Sequence, residues 1–288
     1  MTTDILVLGG GPAGSTAAIY AARSGKTVAL LYDGEGALGR AEKIENYYGF
    51  PTAITGPALF QAGIAQAQAM GVQVYQGQAL SLGFGETGLV AETTLGPMAA
   101  RAVVLATGAR RRKPNIPGLA QLDGAGVSYC AVCDGFFCRG KDVAVLGAGE
   151  YALHEAGVLL PLARQVTLLT NGAEAPAELP PVLAVDTRPV ARLTQQDGVL
   201  AGVEFTQGPA LAVSRLFVAL GTAGSDDLAR KVGLLLTEDG KIAVDGSMAT
   251  NVPGLFAAGD CTGGLLQVAK AVSQGAQAGL SAVKYLEK

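Results

Sequence analysis

The sequence is nearly devoid of histidine and poor in cysteine. Of its 288 residues, one is histidine and four are cysteine. A single histidine, His154, cannot build a histidine-rich metal site, and a Ser-His-Asp triad would depend on that one residue. Four cysteines in so long a chain are too few for a disulfide scaffold. We therefore expect no metal site, no serine-hydrolase triad and no disulfide-stapled secreted fold.

Charge of either sign is also scarce. Charged residues make up 16% of the chain, and 21 basic and 24 acidic side chains give a formal net charge of −3. This balance leaves no electrostatic footprint for nucleic acid or for an anionic membrane surface, so neither is an expected partner. The chain also lacks a basic leader and any apolar run of about 18 residues, the length that a membrane-spanning helix needs. We expect a soluble cytoplasmic protein.

Hydrophobic residues and glycine, by contrast, are plentiful. The hydrophobic fraction is 49%, which supplies a large core and excludes a disordered chain. Glycine occurs 41 times, about twice its usual 7%, and this indicates many tight turns and close backbone approaches. At about 100–200 residues per domain, the length predicts two domains.

The N-terminal segment has the pattern of a dinucleotide-binding βαβ unit. The predicted elements are a strand over 4–8, a GGGPAG turn over 9–14, a helix over 15–24 and a strand over 27–32. Gly9 and Gly11 let the backbone turn and approach a pyrophosphate, and Gly14 lets the helix pack closely on the strand. The helix N-terminus, with Pro12 and Ala13, faces the anion. The run Gly9–Gly14 is therefore a predicted nucleotide cradle.

A ribose contact is predicted at the end of the second strand. An acidic or polar side chain is needed there to bond a ribose hydroxyl, and Asp33 is the candidate. Tyr32, one residue earlier, is the alternative. A glycine-rich turn that binds nothing is the other interpretation, but the strand before it and the helix after it favour a nucleotide.

The same pattern returns in the middle of the chain. A strand over 142–146, a GAGEYA turn over 147–152, a helix to about 163 and a strand over 165–169 are predicted. Apolar strands that end in glycine, over 102–108 and 216–221, indicate crossings between two domains. We therefore predict an α/β fold of two Rossmann-like, three-layer dinucleotide-binding domains, the second inserted into the first. The outer domain would comprise residues 1–112 and 224–288, and the inner domain 113–223.

Cys130 and Cys133 form a C-x-x-C pair just before the second unit. The two-residue spacer lets the two sulfurs close a small ring, so a disulfide can form and open within the protein. A half zinc site is the alternative and needs two more ligands; Cys138 and Cys261 are available but lack a second C-x-x-C. We favour redox chemistry for the pair and treat the other two cysteines as small packing residues.

A turn and a buried strand near the end of the chain lead to Gly259 and Asp260, ahead of a helix predicted over about 266–285. A carboxylate in this place can bond a ligand hydroxyl. It can also cap the N-terminus of the helix, and both roles stay open.

Five motifs together resemble those of the low-molecular-weight thioredoxin reductases, over essentially the whole chain. They are GGGPAG at 9–14, IENYYGFP at 44–51, ATG at 106–108, CAVCDGFF at 130–137, and GD at 259–260 with QV at 267–268. The resemblance implies a disulfide oxidoreductase with FAD in the outer domain and a redox dithiol in the inner one. It also implies a homodimer that acts on thioredoxin or a similar dithiol protein.

The resemblance further implies individual roles. Cys133 would exchange electrons with the flavin, Cys130 would attack the disulfide of the partner, and Asp134 would move the proton. Asp260 would lie on the ribityl chain, with Asn46 and the backbone of Gln267 near the isoalloxazine. The implied cofactor-binding residues are Gly9, Gly11, Pro12, Ala13, Gly14, Asp33, Asn46, Thr107, Gly108, Gly259, Asp260, Gln267 and Val268.

The second dinucleotide unit departs from the family pattern. Members that use NADPH carry a basic H-R-R-x-x-x-R segment after the strand equivalent to 165–169, which pairs with the 2′-phosphate. Here the stretch reads TNGAEA over 170–175, and no lysine or arginine occurs over 165–187. No acidic residue ends the strand to hold the ribose of NADH. NADPH is therefore not an expected cofactor.

Smaller departures from the family pattern accompany the missing basic segment. Tyr151 stands in the turn where the family has a small hydroxyl residue, and its phenol is expected to occupy the space of the nucleotide. His154, where glutamate is common, is interpreted as a surface or satisfied core residue. The segment 36–40 lacks the family's G-G-Q-L, which leaves the flavin contacts there open.

These departures favour the pyridine-nucleotide-independent branch of the family, in which reduced ferredoxin or a comparable carrier supplies electrons. Ferredoxins are acidic, and the run RRRK at 110–113 is a candidate docking site, although basic runs are usually solvated faces. Two other functions stay open: a dithiol oxidase that uses oxygen or another acceptor, and a non-enzymatic flavin-binding redox sensor. The intact CAVCD run argues against the sensor.

Overall fold

The computed structural model describes residues 2–86, 88–108, 114–221 and 224–288. The chain forms two compact units. Met1–Arg111 together with Gly224–Lys288 form one, here called the outer unit, and Arg112–Ala223 form the inner unit. The basic run at 110–113 lies outside the described residues. Within those residues, no helix has both the length and the apolar character needed to cross a membrane.

The elements follow one another in three stretches of chain. The first stretch of the outer unit contains β1 (Thr2–Leu8), α1 (Pro12–Arg23), β2 (Val28–Tyr32), α2 (Gly56–Ala69), β3 (Gln73–Gln76), β4 (Ala79–Gly85), β5 (Gly88–Thr93) and β6 (Met98–Leu105). The inner unit contains β7 (Val127–Ser128), α3 (Ala131–Asp134), β8 (Asp142–Leu146), α4 (Glu150–Leu159), β9 (Gln165–Leu169), β10 (Ala184–Asp186), β11 (Val190–Gln196), β12 (Val199–Phe205), β13 (Leu211–Ala212) and β14 (Arg215–Val218). The outer unit then resumes with α5 (Ser225–Lys231), β15 (Leu255–Ala257) and α6 (Val268–Leu286).

A seven-stranded sheet lies at the centre of the outer unit. Its order is β3-β2-β1-β6-β5-β4, with β15 paired to β6. The pairings of β1 with β2 and β6, and of β15 with β6, are parallel. Leu8 and Ala257 both pair with Leu105, so the carboxyl ends of β1, β6 and β15 lie at one edge of the sheet. In open parallel sheets this edge is where ligands bind.

The core of this sheet explains why β1 ends in an unbroken apolar run, from Ile5 to Leu8. Successive strand residues point to opposite faces, yet Ile5, Leu6 and Val7 are all fully buried. Both faces of the strand are therefore covered, which is typical of a parallel sheet between helices. Helices α1 and α6 pack in very close contact, since a Cβ on Gly275 would lie 2.2 Å from the carbonyl oxygen of Ala13.

The inner unit contains a parallel five-stranded sheet, in the order β10-β9-β8-β14-β7, and an antiparallel three-stranded sheet, β11-β12-β13. The parallel sheet of the inner unit and the parallel strands of the mixed sheet in the outer unit confirm the predicted α/β class with Rossmann-like units. The predicted extent of α4 was wrong, because the helix ends at Leu159 rather than near 163. Pro161 has no N–H to continue the helix, and its ring crowds the preceding turn.

Candidate functional site

The turn between β1 and α1 forms an open cradle of backbone. Gly9 has φ +113°, and a Cβ there would lie 2.3 Å from the carbonyl oxygen of Ala106. A Cβ on Gly14 would lie 1.8 Å from the carbonyl oxygen of Gly9, so packing alone explains both glycines. Gly11 is different, because its φ of −69° suits any residue and a Cβ there would meet nothing within 4 Å. Glycine at position 11 leaves room for a ligand group to approach the backbone, as a pyrophosphate does.

The first turn of α1 faces this cradle with its N–H groups uncapped. Gly11 is the N-cap residue, no side chain of the described residues caps the turn, and Pro12 occupies the first helical position. No acidic residue lies in the turn, so nothing repels an anion there. The N–H groups of the turn are therefore suited to bind a phosphate.

Thr107 and Gly108 follow β6 at the same sheet edge. The Oγ1 atom of Thr107 is buried and has no hydrogen-bond partner among the residues that the structure describes. Since buried hydroxyls are almost always bonded in folded proteins, this hydroxyl is placed to bond a ligand. Gly108 has φ +78°, a backbone conformation that glycine adopts without strain.

Gly259 and Asp260 follow β15, and side chains from α6 hold their loop. Gln274 accepts a hydrogen bond from the N–H of Gly259 at 3.0 Å. Lys270 donates from Nζ to the carbonyls of Gly259 at 2.7 Å and Gly263 at 2.6 Å, and burial lowers the pKa of this ammonium group. Sequence reasoning missed Lys270, although its spacing of four residues from Gln274 on one helix face was a usable signal.

Asp260 is not the N-cap of α6, so that interpretation was wrong. The N-cap residue is Gln267, and Asp260 instead begins the 3-10 turn Asp260–Thr262. Its carboxylate is half-buried beside the sheet edge. Bonding to a ligand hydroxyl is the interpretation that remains.

A hydrogen bond between distant parts of the chain joins two of the implied flavin-site residues. Asn46 donates from Nδ2 to Oε1 of Gln267 at 2.9 Å. The bond brings the loop around Asn46 to the start of α6 at Val268. Two motifs that are 221 positions apart in sequence therefore lie side by side.

The two candidates for the ribose contact differ in their surroundings. Tyr32 packs its ring edge-on against Phe60, with 5.4 Å between ring centroids, and its Cβ lies against Gly10. Asp33 is exposed directly after β2. The geometry favours Asp33 as the group that is open to a ribose hydroxyl.

Cys130 and Cys133 form a disulfide in the inner unit. Cys130 is the N-cap residue of α3, and its Sγ accepts the N–H of Cys133 at 3.1 Å. Cys130 is buried, with 3% of its surface exposed, whereas Cys133 is exposed. The pair is therefore held at a helix start and offers one sulfur to the surface.

Asp134 is fixed beside this pair by a residue that sequence reasoning missed. Ser128 donates from Oγ to Oδ2 of Asp134 at 2.6 Å, and the same Oγ accepts the N–H of Cys130 at 3.2 Å. A hydroxyl two residues before a helix start is a typical capping arrangement, and this was the available signal. Ser128 therefore links the carboxylate of Asp134 to the backbone of Cys130.

The other two cysteines are buried free thiols. Burial raises the pKa of the Cys138 thiol, and it raises the pKa of Cys261 to about 12. Cys261 also lies with its Sγ 3.2 Å from the carbonyl oxygen of Ala258. Within the described part of the chain, no group of three or more His, Cys, Asp or Glu residues is placed to hold a metal ion.

Alkylation should therefore distinguish the two kinds of cysteine. At pH 8 a thiol with the pKa of Cys261 is only about 0.01% thiolate, and thiolate is the reactive species. We expect native protein reduced with dithiothreitol to incorporate two iodoacetamide groups, both in the peptide that carries Cys130 and Cys133. Intact mass and peptide mapping measure this, with urea-unfolded protein, in which all four cysteines react, as the control. Rapid native labelling of Cys261 would contradict the expectation.

The inner unit keeps the backbone of a dinucleotide turn at 147–152. Gly149, the N-cap residue of α4, has φ −112°, and a Cβ there would come no closer than 3.8 Å to the carbonyl oxygen of Gly221.

The expectation that Tyr151 fills the space of the nucleotide was wrong. Its side chain is 1% exposed, and its hydroxyl donates to the carbonyl of Tyr129 at 3.4 Å, because α4 turns this residue into the core.

The polar groups beyond β9 bond to their own surroundings. Thr170 donates to the carbonyl of Ala173 at 2.6 Å, and Asn171 accepts the N–H of Val190 at 2.7 Å. These are the side chains at the place where a dinucleotide fold holds the adenosine ribose. Both are already engaged in local turns.

Arg188, the first basic residue after β9, is engaged as well. Its Nε and Nη2 donate to the carboxylate of Asp186 at 2.9 and 2.5 Å, and its Nη1 donates to the carbonyls of Gln207 and Pro209. The guanidinium also lies over the ring of Phe205, 3.9 Å from its centroid. This cation is therefore committed to the protein's own groups.

Comparison with known proteins gives consistent matches over the whole chain. The family model described as pyridine nucleotide-disulphide oxidoreductase matches residues 3–275. The thioredoxin reductase of Aquifex aeolicus is 34% identical, over 98% of this chain and 93% of its own. The atypical thioredoxin reductase TRi of Desulfovibrio vulgaris Hildenborough is 37% identical with a TM-score of 0.92, covering 99% of this chain and 98% of that one. The ferredoxin-flavin thioredoxin reductase of Clostridium acetobutylicum is 31% identical with a TM-score of 0.75, covering 99% and 98%.

Proposed function

Because this chain belongs to the pyridine nucleotide-disulphide oxidoreductase family, and within it to the thioredoxin reductases, we propose that it reduces a thioredoxin-like protein disulfide with electrons from a donor other than NADPH. It is an oxidoreductase and a flavoprotein of thioredoxin reductase type with a redox-active pair at Cys130 and Cys133. The donor that we propose is a reduced ferredoxin or a comparable one-electron carrier.

The proposed donor follows chiefly from the adenosine end of the inner unit. A 2′-phosphate needs free guanidinium or ammonium groups, preferably with bidentate geometry. The segment 165–187 has none, and Arg188 is bound to Asp186 and two carbonyls. Glu150 in the first turn of α4 adds a negative charge where a pyrophosphate would lie. NADPH does not fit these residues.

FAD does fit the outer unit. The open space over Gly11 lies at the carboxyl edge of the sheet, as does the hydroxyl of Thr107, which has no hydrogen-bond partner among the described residues; Asp33 and Asp260 lie at the neighbouring strand ends. We propose that these residues, with Asn46 and the start of α6, hold the cofactor. When bound, FAD supplies the electron pair that reduces the disulfide, after collecting it from the donor.

The side chains of the inner unit then carry the exchange. Two electrons enter at the Cys133 sulfur and break the S–S bond, and two protons are taken up in all as the pair becomes a dithiol. Asp134, held by Ser128, is the proposed group that moves a proton at this point. Cys130 is buried in the disulfide form, so it must become accessible after reduction before its thiolate can attack the disulfide of the partner; Cys133 then resolves the mixed disulfide. We also propose that the protein is a homodimer and that it acts in the cytoplasm.

Anaerobic reduction of the bound flavin tests the donor. We expect NADPH and NADH, at 100-fold excess, to leave the 450 nm absorbance unchanged over minutes, because the segment 165–187 offers no cation for the 2′-phosphate of NADPH and β9 ends without an acidic residue for the ribose of NADH. A photoreduced plant-type ferredoxin should bleach it, and added thioredoxin should then acquire two thiols per flavin. An NADPH-dependent thioredoxin reductase is the positive control.

Three results would overturn the proposal. Bleaching by micromolar NADPH within seconds would show that the nucleotide binds despite the missing cations. Failure of every donor to reduce the flavin would remove the reductase assignment. Oxygen consumption driven by small dithiols, with no reduction of thioredoxin, would instead favour a dithiol oxidase.

A further inference from the structure

Glu155 is a fully buried acidic residue that none of the roles above uses. It lies on α4 and is 1% exposed. Its Oε2 accepts the N–H of Ala131 at 2.7 Å. Ala131 is itself fully buried and directly follows Cys130 in the chain. The carboxyl group therefore bonds the backbone at the redox pair from a different element of the inner unit.

Glu155 acts together with Tyr151 on one face of α4. The two residues are four positions apart, which places them one above the other on a helix. Tyr151 bonds the carbonyl of Tyr129, before the pair, and Glu155 bonds the N–H of Ala131, within it. Helix α4 thus holds the segment around Cys130 at two successive points.

A carboxylate in this position affects the disulfide and the dithiol differently. Opening the S–S bond takes two electrons, and a sulfur carries negative charge until it is protonated. A nearby buried negative charge raises the free energy of that thiolate, and low local dielectric strengthens the effect. The N–H of Ala131 is also engaged with Oε2, so it cannot stabilise a thiolate on Cys130. Both effects oppose reduction.

We propose that Glu155 is a positioning residue that sets the redox equilibrium of the Cys130–Cys133 pair, holding its segment in place and making the dithiol a stronger reductant. A dithiol that is harder to form passes its electrons on more readily. The benefit to a partner protein rests on the proposed function, but the equilibrium itself does not.

The test is a redox titration of the full-length protein. Wild type and Glu155→Gln are equilibrated in dithiothreitol buffers of graded reduced-to-oxidised ratio, quenched with acid, tagged with a maleimide and resolved by mass. Glutamine keeps an oxygen acceptor for Ala131 but removes the charge. We expect the equilibrium constant for reduction to rise about tenfold, a shift of roughly 30 mV. Neither an electron donor nor a partner protein is used, so a failed donor experiment leaves this result intact.

Matched variants separate charge from structural support. Glu150→Gln removes the same charge from an exposed position on the same helix and should leave the equilibrium unchanged. Glu155→Asp keeps the charge and should lie between wild type and the glutamine variant; it also serves if that variant does not fold. An unchanged equilibrium with a lowered Tm in Glu155→Gln, or an equal shift in Glu150→Gln, would overturn the proposal.

Discussion

Replacing Cys133 with serine will abolish electron transfer from the reduced flavin to a thioredoxin-like partner. The disulfide is the proposed carrier between the two, and one remaining sulfur cannot take up and release an electron pair. For a residue that takes part in covalent chemistry we expect a loss on the order of 10⁴-fold or more in turnover. The measurement is ferredoxin-driven formation of thioredoxin thiols, with flavin content and Tm measured alongside. Because Cys133 is exposed and lies in a four-residue helix, the substitution should leave the fold intact.

The matched substitution of Cys130 assigns the separate roles of the two sulfurs. In Cys133→Ser the remaining Cys130 should form a stable mixed disulfide with thioredoxin, since no second sulfur resolves it. Cys130→Ser should be equally inactive but should give no such adduct on non-reducing gels. Retained turnover in Cys133→Ser would remove the pair from the mechanism. An adduct through Cys133 in the Cys130 variant would reverse the two assignments.

A Gly11→Val substitution should leave the protein folded and without FAD. The backbone at this position suits any residue, and a Cβ meets no atom of the described residues within 4 Å, so we expect no internal clash from the side chain. It would, however, project into the space that the pyrophosphate needs. We expect the Kd for FAD to rise at least a hundredfold, equivalent to roughly 3 kcal/mol. The flavin absorbance of purified protein and fluorescence titration of the apoprotein measure the effect.

The inner unit supplies the control for this experiment. Gly149 begins α4 as Gly11 begins α1, and it is also an N-cap residue with extended backbone and open space for a Cβ. Gly149→Val should therefore retain full flavin content. Loss of FAD from the Gly149 variant, or normal binding in the Gly11 variant, would show that the cofactor does not use the cradle of the outer unit.

The sequence predicted best where a feature depends on a short stretch of chain. The turn at 9–14 is specified by local backbone needs, since Gly9 and Gly14 have no room for a side chain. The strands over 142–146 and 165–169 are mostly apolar and were predicted with their observed limits. The disulfide between Cys130 and Cys133 joins residues three apart and was likewise accessible from spacing.

Features that depend on contacts between distant residues were not predicted. The bonds of Glu155 to Ala131 and of Lys270 to Gly259 join separate elements, so the spacing of residues along one helix does not identify the partner group. The error at Tyr151 has the same origin. A tyrosine in the turn suggested a side chain that blocks the nucleotide. The position of the ring depends instead on which face of α4 packs against the core, and tertiary packing determines that face. Arg188 pairs with Asp186, which is only two residues away. The two carbonyls that also accept hydrogen bonds from Arg188, however, belong to a later loop.

The environment of Arg188 also bears on what the inner unit would need in order to bind a phosphorylated nucleotide. Its guanidinium is tied by hydrogen bonds and by an aromatic face to one surface of the inner unit. Binding of a 2′-phosphate would require new cations at 170–175. It would also require the loss of Arg188 contacts that now support the fold. Each of these changes, made alone, would lower the stability of the fold before it improved binding of the phosphate. If the proposed donor is correct, a single substitution at 170–175 will therefore not create a site for a 2′-phosphate.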